Sequence, residues 1–395
     1  MTSALKRLAL SDDALRFGGF FLLVMLVGAL AGPLRALLPV RVEAELGRPP
    51  EFSSALQSLL LGGAGIFALI GGALADRLGQ KRTLVLGLAH LPLMALVYLA
   101  RDPVVLLGAA LASGLVGGLF TVGGQSYLVA AAPRAYLGVA SALYFLGSTL
   151  GSSLGSLVAG LVVERQSFGA FGAAALAGSA LLQVGAARLL PAVEPGRLSP
   201  GRHAERPRLT LSRDLLLVAA LRFLPTCFWG AVTLLAPLLL FRLSGSVVAV
   251  ALYSSVSLAV AAGCQIATGR LFDRVGRGPP VLVLAALVPL AALAMGLAAG
   301  SFEALFAAGV LATAVAWSIS VSFPPLVRDL APEGQQGRAL GLLHLLWTAG
   351  MLIGTLAGGR LVEVDPGLPF LLGAALNLPT ALVGLTLWRR QRSRV

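Results

Sequence analysis

The sequence predicts an all-α membrane protein with twelve transmembrane helices in two pseudo-symmetric six-helix bundles. Hydrophobic residues make up 57% and charged residues 12% of the 395-residue chain, and its mean hydropathy is +0.89. Because soluble domains carry about 25% charged residues, a water-soluble fold is excluded. Apolar runs of about 20 residues recur along the chain, and a helix of that length crosses a hydrocarbon core of about 30 Å. Helices are expected because lipid offers a free backbone N–H group no hydrogen-bond partner.

The apolar runs define twelve predicted spans, which are numbered 1 to 12 in chain order. Residues 191–213, between spans 6 and 7, are rich in arginine and proline, and this composition predicts a linker. We therefore divide the sequence into a bundle over residues 1–190, the linker, and a bundle over residues 214–395. The spans cover residues 16–40, 54–75, 83–100, 104–131, 137–163, 168–190, 214–241, 246–271, 280–299, 303–327, 338–362 and 368–388.

The basic residues indicate how the spans are oriented. Arginines and lysines concentrate in the N-terminal segment, the linker, the C-terminal tail and the loops after spans 2 and 8. Cytoplasmic loops carry such an excess, so we expect a multi-pass protein of the cytoplasmic membrane with both termini inside. The net charge of +13 does not indicate nucleic-acid binding, since the basic residues are distributed between apolar runs and not gathered on one arm.

Two loops carry the same motif. The stretch after span 2 reads Gly72-Ala-Leu-Ala-Asp76-Arg77-Leu-Gly79-Gln-Lys-Arg82, and the stretch after span 8 reads Gly269-Arg-Leu-Phe-Asp273-Arg274-Val-Gly276-Arg. Glycine at the end of GxxxDRxG permits a tight reversal between antiparallel helices. Three other markers repeat in the same order at nearly the same spacing, which indicates duplication of a six-helix unit. They are Pro39 with Pro237, Ala132-Pro133 with Ala331-Pro332, and Gly151 and Gly155 with Gly350 and Gly354.

These residues resemble the major facilitator superfamily, whose loop between the second and third helices carries a GxxxDRxGRR-type motif with a weaker copy between the eighth and ninth. The resemblance covers the whole chain and implies a secondary transporter that works by alternating access. It also implies that Asp76 pairs with the start of span 11 near Arg338 and Gly341, and that Asp273 faces the start of span 5 near Gly138 and Arg134. The alternative is a plain hairpin with basic flanks. The implied gating residues are Gly72, Asp76, Arg77, Gly79, Arg82, Gly269, Asp273, Arg274 and Gly276.

Charged residues inside the spans are the first candidates for solute binding, because such residues are costly in a membrane. Arg35 lies in span 1 and Arg222 in span 7, whereas no Asp or Glu falls near the middle of a span. The absence of a carboxylate argues against a carboxylate-based proton relay. Arg35 lies toward the outer end of its span, so it either lines the solute path or extends to the interface. A buried arginine among aromatic side chains suits an amphipathic organic molecule with an anionic group.

Polar and aromatic residues at helical spacing extend this set. In span 7, Arg222, Thr226, Trp229 and Thr233 share one face, and the family resemblance implies that spans 1, 4, 7 and 10 line a central cavity. The tryptophans have packing as an alternative role, and His344 could carry a proton in coupling. The predicted solute-binding residues are Arg35, Gln125, Tyr144, Arg222, Trp229, Tyr253, Trp317 and His344. The glycine rows Gly147, Gly151, Gly155 and Gly350, Gly354, Gly358 are interpreted as helix-packing seams.

Export of a small organic compound is the favoured function. The alternatives are an uptake facilitator or symporter for a small, anionic metabolite, and a transporter-like receptor that does not transport. Proton-coupled drug antiporters of the major facilitator superfamily, which this chain resembles, carry an arginine in the fourth helix and a Gly-Pro pair in the fifth. Segment Leu111 to Gly117 of span 4 lacks the arginine, and segment Gly147 to Gly151 of span 5 lacks the Gly-Pro pair. We expect the protein to be a monomer. Its expected partners are the solute, the bilayer and a coupling proton or ion.

An enzyme is not predicted, because the sequence lacks GxSxG, HExxH and P-loop motifs. No cofactor or metal is expected either. Cys227 and Cys264 both lie in apolar runs without a CxxC or Cys/His spacing, so we interpret them as packing residues.

Overall fold

The computed structural model describes residues 12–131, 137–191, 211–330 and 336–392, and every regular element among them is an α-helix. The helices are α1 (Asp12–Ala36), α2 (Leu38–Ala44), α3 (Pro50–Leu78), α4 (Gln80–Gly87), α5 (His90–Leu99), α6 (Pro103–Ala131), α7 (Leu137–Arg165), α8 (Phe168–Leu189), α9 (Arg213–Ser244), α10 (Val247–Val275), α11 (Gly278–Ala298), α12 (Phe302–Val321), α13 (Phe323–Leu330), α14 (Gln336–Leu361) and α15 (Leu368–Arg392).

The prediction of an all-α protein with twelve spans is confirmed. Span 1 consists of α1 and α2, span 3 of α4 and α5, and span 10 of α12 and α13, while each remaining helix forms one span. Among the described residues, eleven segments are long and apolar enough to cross a membrane. Several helices extend beyond their predicted bounds: α3, for example, begins at Pro50 and ends at Leu78. Residues 192–210 of the predicted linker lie outside the described part of the chain.

Proline explains why three spans are divided. The breaks fall at Leu37, at Leu88 and Ala89, and at Ser322, and each precedes a proline of the next helix by two to four residues: Pro39, Pro92 and Pro324. Proline has no N–H group, and its ring clashes with the carbonyl four residues earlier, so a helix is interrupted in the preceding turn.

Serine side chains cap four spans at their first turn. The Oγ atoms of Ser167, Ser212, Ser246 and Ser301 accept hydrogen bonds from the backbone N–H groups three residues later, at N···O distances of 3.0, 3.1, 3.2 and 3.4 Å. The first N–H groups of a helix have no partner within the helix, and a serine cap satisfies one of them. These serines therefore fix where spans 6, 7, 8 and 10 begin.

The two GxxxDRxG loops share one backbone conformation. Gly79 has φ +85° and ψ 152°, and Gly276 has φ +77° and ψ 176°. This region of backbone space is open essentially to glycine alone. Each glycine ends the long helix before it and lets the chain reverse, which confirms the predicted tight turn at both copies.

The predicted glycine seams are sites of close helix packing. A Cβ atom built on Gly151 of α7 would lie 1.9 Å from the carbonyl oxygen of Met25 in α1, and one built on Gly354 of α14 would lie 1.8 Å from that of Cys227 in α9. The contacts agree with the predicted pairing of the two rows. Gly151 and Gly155 face the carbonyl oxygens of Met25 and Ala29, and Gly350 and Gly354 face those of Phe223 and Cys227.

The internal contacts divide the described residues into two compact units. Unit 1 contains residues 12–35, 62–131 and 137–191, and unit 2 contains residues 36–61, 211–330 and 336–392. Segment 36–61, which comprises the end of span 1 and the beginning of span 2, thus packs with the helices of the second half of the sequence. The predicted division at residues 190 and 214 describes the duplicated sequence, and it stays a prediction.

Candidate functional site

Arg222 forms the centre of a polar and aromatic cluster in unit 2. Its Nη1 donates a hydrogen bond to Ser320 Oγ at 3.3 Å. The guanidinium carbon lies 4.7 Å from the ring centre of Phe323 and 5.9 Å from that of Trp347. The His344 ring stacks on Trp347 with centroids 5.5 Å apart. We call these five residues the Arg222 cluster.

Local structure accounts for how the cluster assembles. Arg222 lies in the first half of α9, and Ser320 lies in the last turn of α12. The Ser320 hydroxyl donates its own hydrogen to the Ala316 carbonyl at 2.8 Å, so its oxygen lone pairs are free to accept from Arg222. The helix break at Ser322 brings Phe323 to the guanidinium. His344 and Trp347 are three residues apart in α14 and share a face.

Among the described residues, the charge of Arg222 has no carboxylate partner. Within the described part of the chain, no Asp or Glu oxygen lies at ion-pair distance from its guanidinium. The side chain is only partly exposed, and a cation within a membrane span is expensive unless it is paired. The two rings provide attraction of roughly 0.5 to 2 kcal/mol per cation–π contact. A guanidinium has five N–H donors, so most of its capacity remains for an anionic group, which it can bind through two parallel hydrogen bonds.

The other predicted residues of unit 2 lie outside these contacts. Trp229 is partly exposed and lies about 10 Å further along α9 than Arg222. The Nε1 atom of Trp317 is buried without a hydrogen-bond partner in the described residues. Tyr253 is buried, its ring packs edge-on against Phe306 at 5.6 Å, and a Cβ atom on Gly309 would lie 2.7 Å from its hydroxyl oxygen. Tyr253 therefore serves the packing of α10 on α12.

The three predicted residues of unit 1 are not gathered into one group. Tyr144 is buried in the core, where its ring stacks on Phe20 at 5.9 Å. Arg35 is exposed in the last turn of α1, about 22 Å along that helix from Phe20. Gln125 is exposed on α6, next to the glycine that faces the Tyr144 hydroxyl. Tyr144 is thus a core residue in this structure, and Arg35 and Gln125 have accessible side chains.

The described residues include part of the predicted gating set. Arg77, Arg82 and Arg274 are exposed, and no other group lies within 4 Å of a Cβ built on Gly269. The surroundings of Gly72 and the side chains of Asp76, Asp273 and Arg338 lie outside the described structure, as do Arg134 and the surroundings of Gly138. The second loop does form an ion pair that the sequence did not indicate: Arg277 contacts Asp329 and donates to the Pro325 carbonyl at 3.1 Å.

A second cluster, which the sequence did not indicate, also lies in unit 2. It is at the ends of the spans that are opposite to the second GxxxDRxG loop. Arg242 Nε donates to Glu43 Oε1 at 2.7 Å, and its Nη2 donates to Glu43 Oε2 at 2.6 Å and Glu363 Oε1 at 2.9 Å. Four residues before Glu363, a Cβ atom on Gly359 would lie 2.8 Å from Ser54 Cβ. The end of span 1 and the beginning of span 2 thus contact the ends of spans 7 and 11. We call Glu43, Arg242 and Glu363 the Arg242 cluster.

In the described part of the chain, no metal site accompanies these clusters. Across residues 12–131, 137–191, 211–330 and 336–392, no group of three or more His, Cys, Asp or Glu side chains is placed to hold an ion. Both cysteines are free thiols, and Cys227 is buried against the α14 seam.

Comparison with known proteins gives a consistent family and fold. A family model described as Major Facilitator Superfamily matches residues 20–326 and 265–395. No curated protein matches the chain in sequence.

Several solved transporters share the fold. The chain is similar to a POT family transporter in complex with a thioalcohol-conjugated peptide, with 13% identity, 95% of this chain and 96% of that chain covered, and a TM-score of 0.78. It is similar to the nucleoside transporter NupG, with 15% identity, 94% and 99% covered and a TM-score of 0.79. A D-xylose-proton symporter matches with 15% identity, 93% and 96% covered and a TM-score of 0.74.

Proposed function

Because the chain belongs to the major facilitator superfamily, and is thus a secondary transporter of a small solute, we propose that its solute is an amphipathic organic molecule with an anionic group. Arg222 binds that group. The observation that carries this proposal is an arginine inside a span that has aromatic and hydroxyl neighbours but no carboxylate partner among the described residues. An anionic solute supplies the missing counter-charge.

The energetics favour an anion over a neutral solute. Insertion scales assign an arginine at the centre of a span a cost of about 2.5 to 3.5 kcal/mol. A charged hydrogen bond contributes about 1.5 to 3 kcal/mol in proteins, so one carboxylate or similar group offsets most of that cost. Phe323 and Trp347 hold the guanidinium plane and contribute apolar area for the rest of the solute.

Transport by alternating access requires contacts that hold each end of the path shut in turn. The Arg242 cluster is suited to hold the ends of spans 1, 7 and 11 together, and the GxxxDRxG loops lie at the other ends of the spans. We assign the cytoplasmic gate to Asp76 and Asp273, as the family resemblance implies. Asp76→Ala should lower turnover and favour the state open to the cytoplasm while leaving solute binding intact, and unchanged turnover would contradict this role.

We assign both termini to the cytoplasm from the distribution of basic residues, and we propose that the protein works as a monomer exporting its solute. The missing arginine of span 4 and the missing Gly-Pro pair of span 5 give no support for proton antiport, so the experiment below also tests the energy source. It distinguishes export from uptake and from a receptor that does not transport.

The experiment begins with a library of organic anions, each tested for thermal stabilisation of the purified protein, because binding stabilises the folded state by mass action. Hits are then tested in proteoliposomes of known protein orientation, with and without a pH gradient. Net movement from the cytoplasmic face supports export, movement toward it indicates uptake, and binding without movement indicates a receptor. The proposal fails if the hits are all neutral or cationic.

A further inference from the structure

An apolar groove runs between α1 and α8 of unit 1. Its volume is about 730 Å³, and every lining residue is glycine, alanine, leucine or proline. Leu22 and Leu26 line it from α1, and Leu181 and Leu189 line it from α8. Leu181 and Leu189 are 75% and 84% exposed, so the groove opens to the surroundings of the protein.

The groove is as long as one leaflet of a bilayer is deep. Its lining runs from Gly19 to Leu30 along α1 and from Gly178 to Pro191 along α8, which corresponds to about 16 to 20 Å of helix. Half of a hydrocarbon core is about 15 Å. The groove begins where α8 leads into the basic linker and where α1 follows the N-terminal segment, so it lies in a single leaflet.

Missing side chains create the space. A Cβ atom on Gly19 or Gly185 would meet no other group within 4 Å, and one on Gly178 would meet only Leu30 methyl carbons at 3.7 and 3.8 Å. These glycines therefore do not serve close helix packing, in contrast to Gly151. A larger side chain at position 185 would occupy the groove without displacing the backbone.

From these features we infer that the groove binds one acyl chain of an anionic phospholipid. An acyl chain is long, narrow and apolar, as the groove is, and burial of its methylene groups is favourable. Arg188 lies in the last turn of α8, next to Leu189, and is exposed. Arg188 thus lies at the end of α8 at which the groove begins, and a cation there attracts an anionic headgroup. A bound lipid here covers the exposed leucines and ties span 6 to span 1.

The test compares Gly185→Leu with Gly263→Leu. Gly263 lies in α10, is exposed and, like Gly185, has open space around a built Cβ atom, so it controls for adding a leucine to a span. The purified proteins are titrated with dioleoylphosphatidylglycerol or dioleoylphosphatidylcholine in detergent. Bound lipid is counted by native mass spectrometry, and the unfolding midpoint is measured in parallel. Midpoints without lipid verify that each variant is folded.

For the wild type and Gly263→Leu, we expect phosphatidylglycerol to raise the midpoint more than phosphatidylcholine does, with one lipid retained. Gly185→Leu should lose that lipid and at least about half of the midpoint shift. Arg188→Gln should lose the difference between the two lipids while still binding both. Equal lipid retention by Gly185→Leu and Gly263→Leu overturns the inference.

Discussion

Arg242 and Glu43 are joined by two parallel hydrogen bonds of 2.7 and 2.6 Å, and the two residues lie 199 positions apart in the chain. The same guanidinium reaches Glu363 at 2.9 Å. Glu43 ends span 1, Arg242 ends span 7, and Glu363 follows span 11, so one arginine joins three chain segments. Geometry with two parallel bonds is the strongest arrangement between arginine and a carboxylate.

Removal of the Arg242 cluster should loosen this end of the spans in a graded way. Arg242→Ala removes three hydrogen bonds, Glu43→Gln removes one and weakens another, and Glu363→Gln weakens one, so the effects should decrease in that order. The Arg242 side chain is 31% exposed, which limits its contribution to about 1 kcal/mol. A coupling of that size changes a two-state population by about fivefold.

The readout is the maleimide reactivity of a cysteine introduced by Ser54→Cys, after Cys227→Ser and Cys264→Ser. Ser54 is buried against Gly359, so its labelling rate reports on opening. Arg165→Ala is the control, because Arg165 is exposed at the end of α7 in unit 1. Labelling that is equally slow in Arg242→Ala and Arg165→Ala would argue against a gate at this position.

Alanine at either loop glycine should destabilise the protein. Gly79 and Gly276 adopt φ values of +85° and +77°, and a Cβ atom in this region costs about 1 to 3 kcal/mol. Gly79→Ala and Gly276→Ala should each lower the unfolding midpoint. Gly263→Ala, at a helical position with open space, should leave it unchanged or raise it. Equal midpoints for all three variants would mean that the loops do not require positive φ.

Alanine at the seam glycines should force the packed helices apart. A Cβ atom on Gly354 would lie 1.8 Å from the Cys227 carbonyl oxygen, and one on Gly151 would lie 1.9 Å from that of Met25. Overpacking of this kind costs about 1 to 3 kcal/mol. Gly341→Ala is the control on α14, because its Cβ atom would meet nothing within 4 Å. Thermal unfolding should rank both seam variants well below Gly341→Ala, and a midpoint for Gly354→Ala as high as that control would contradict the packing.

The sequence alone predicted the twelve spans and the two loop reversals, because apolar run length and the GxxxDRxG glycines are local signals. It also predicted Arg222 and His344 as solute-binding residues, and the structure brings both into the Arg222 cluster. It did not identify Phe323, whose position depends on the helix break at Ser322. Phenylalanine in an apolar run also looks like any other lipid-facing or core residue.

Other features depend on contacts that no local pattern contains. The Arg242 cluster joins residues 199 and 121 positions apart, and an arginine at the end of a span gives no local sign of its partner. Tyr144 and Tyr253 were predicted as solute contacts from their polarity, yet both rings lie in aromatic packing contacts. A tyrosine at helical spacing fits either role, because its ring is apolar and only its hydroxyl is polar.

Solute affinity at Arg222 tests the central claim most directly. The dissociation constant of an anion identified by thermal stabilisation is measured by calorimetry for the wild type, Arg222→Lys, Arg222→Ala and the control Arg360→Ala, whose arginine is exposed at the end of α14. Loss of a charged hydrogen bond costs about 1.5 to 3 kcal/mol, so Arg222→Ala should weaken binding about 10- to 100-fold. Arg222→Lys should fall between, because lysine keeps the charge but not the planar, two-bond geometry, and Arg360→Ala should bind as the wild type does. Equal affinity of Arg222→Ala and Arg360→Ala for the anion would contradict the account.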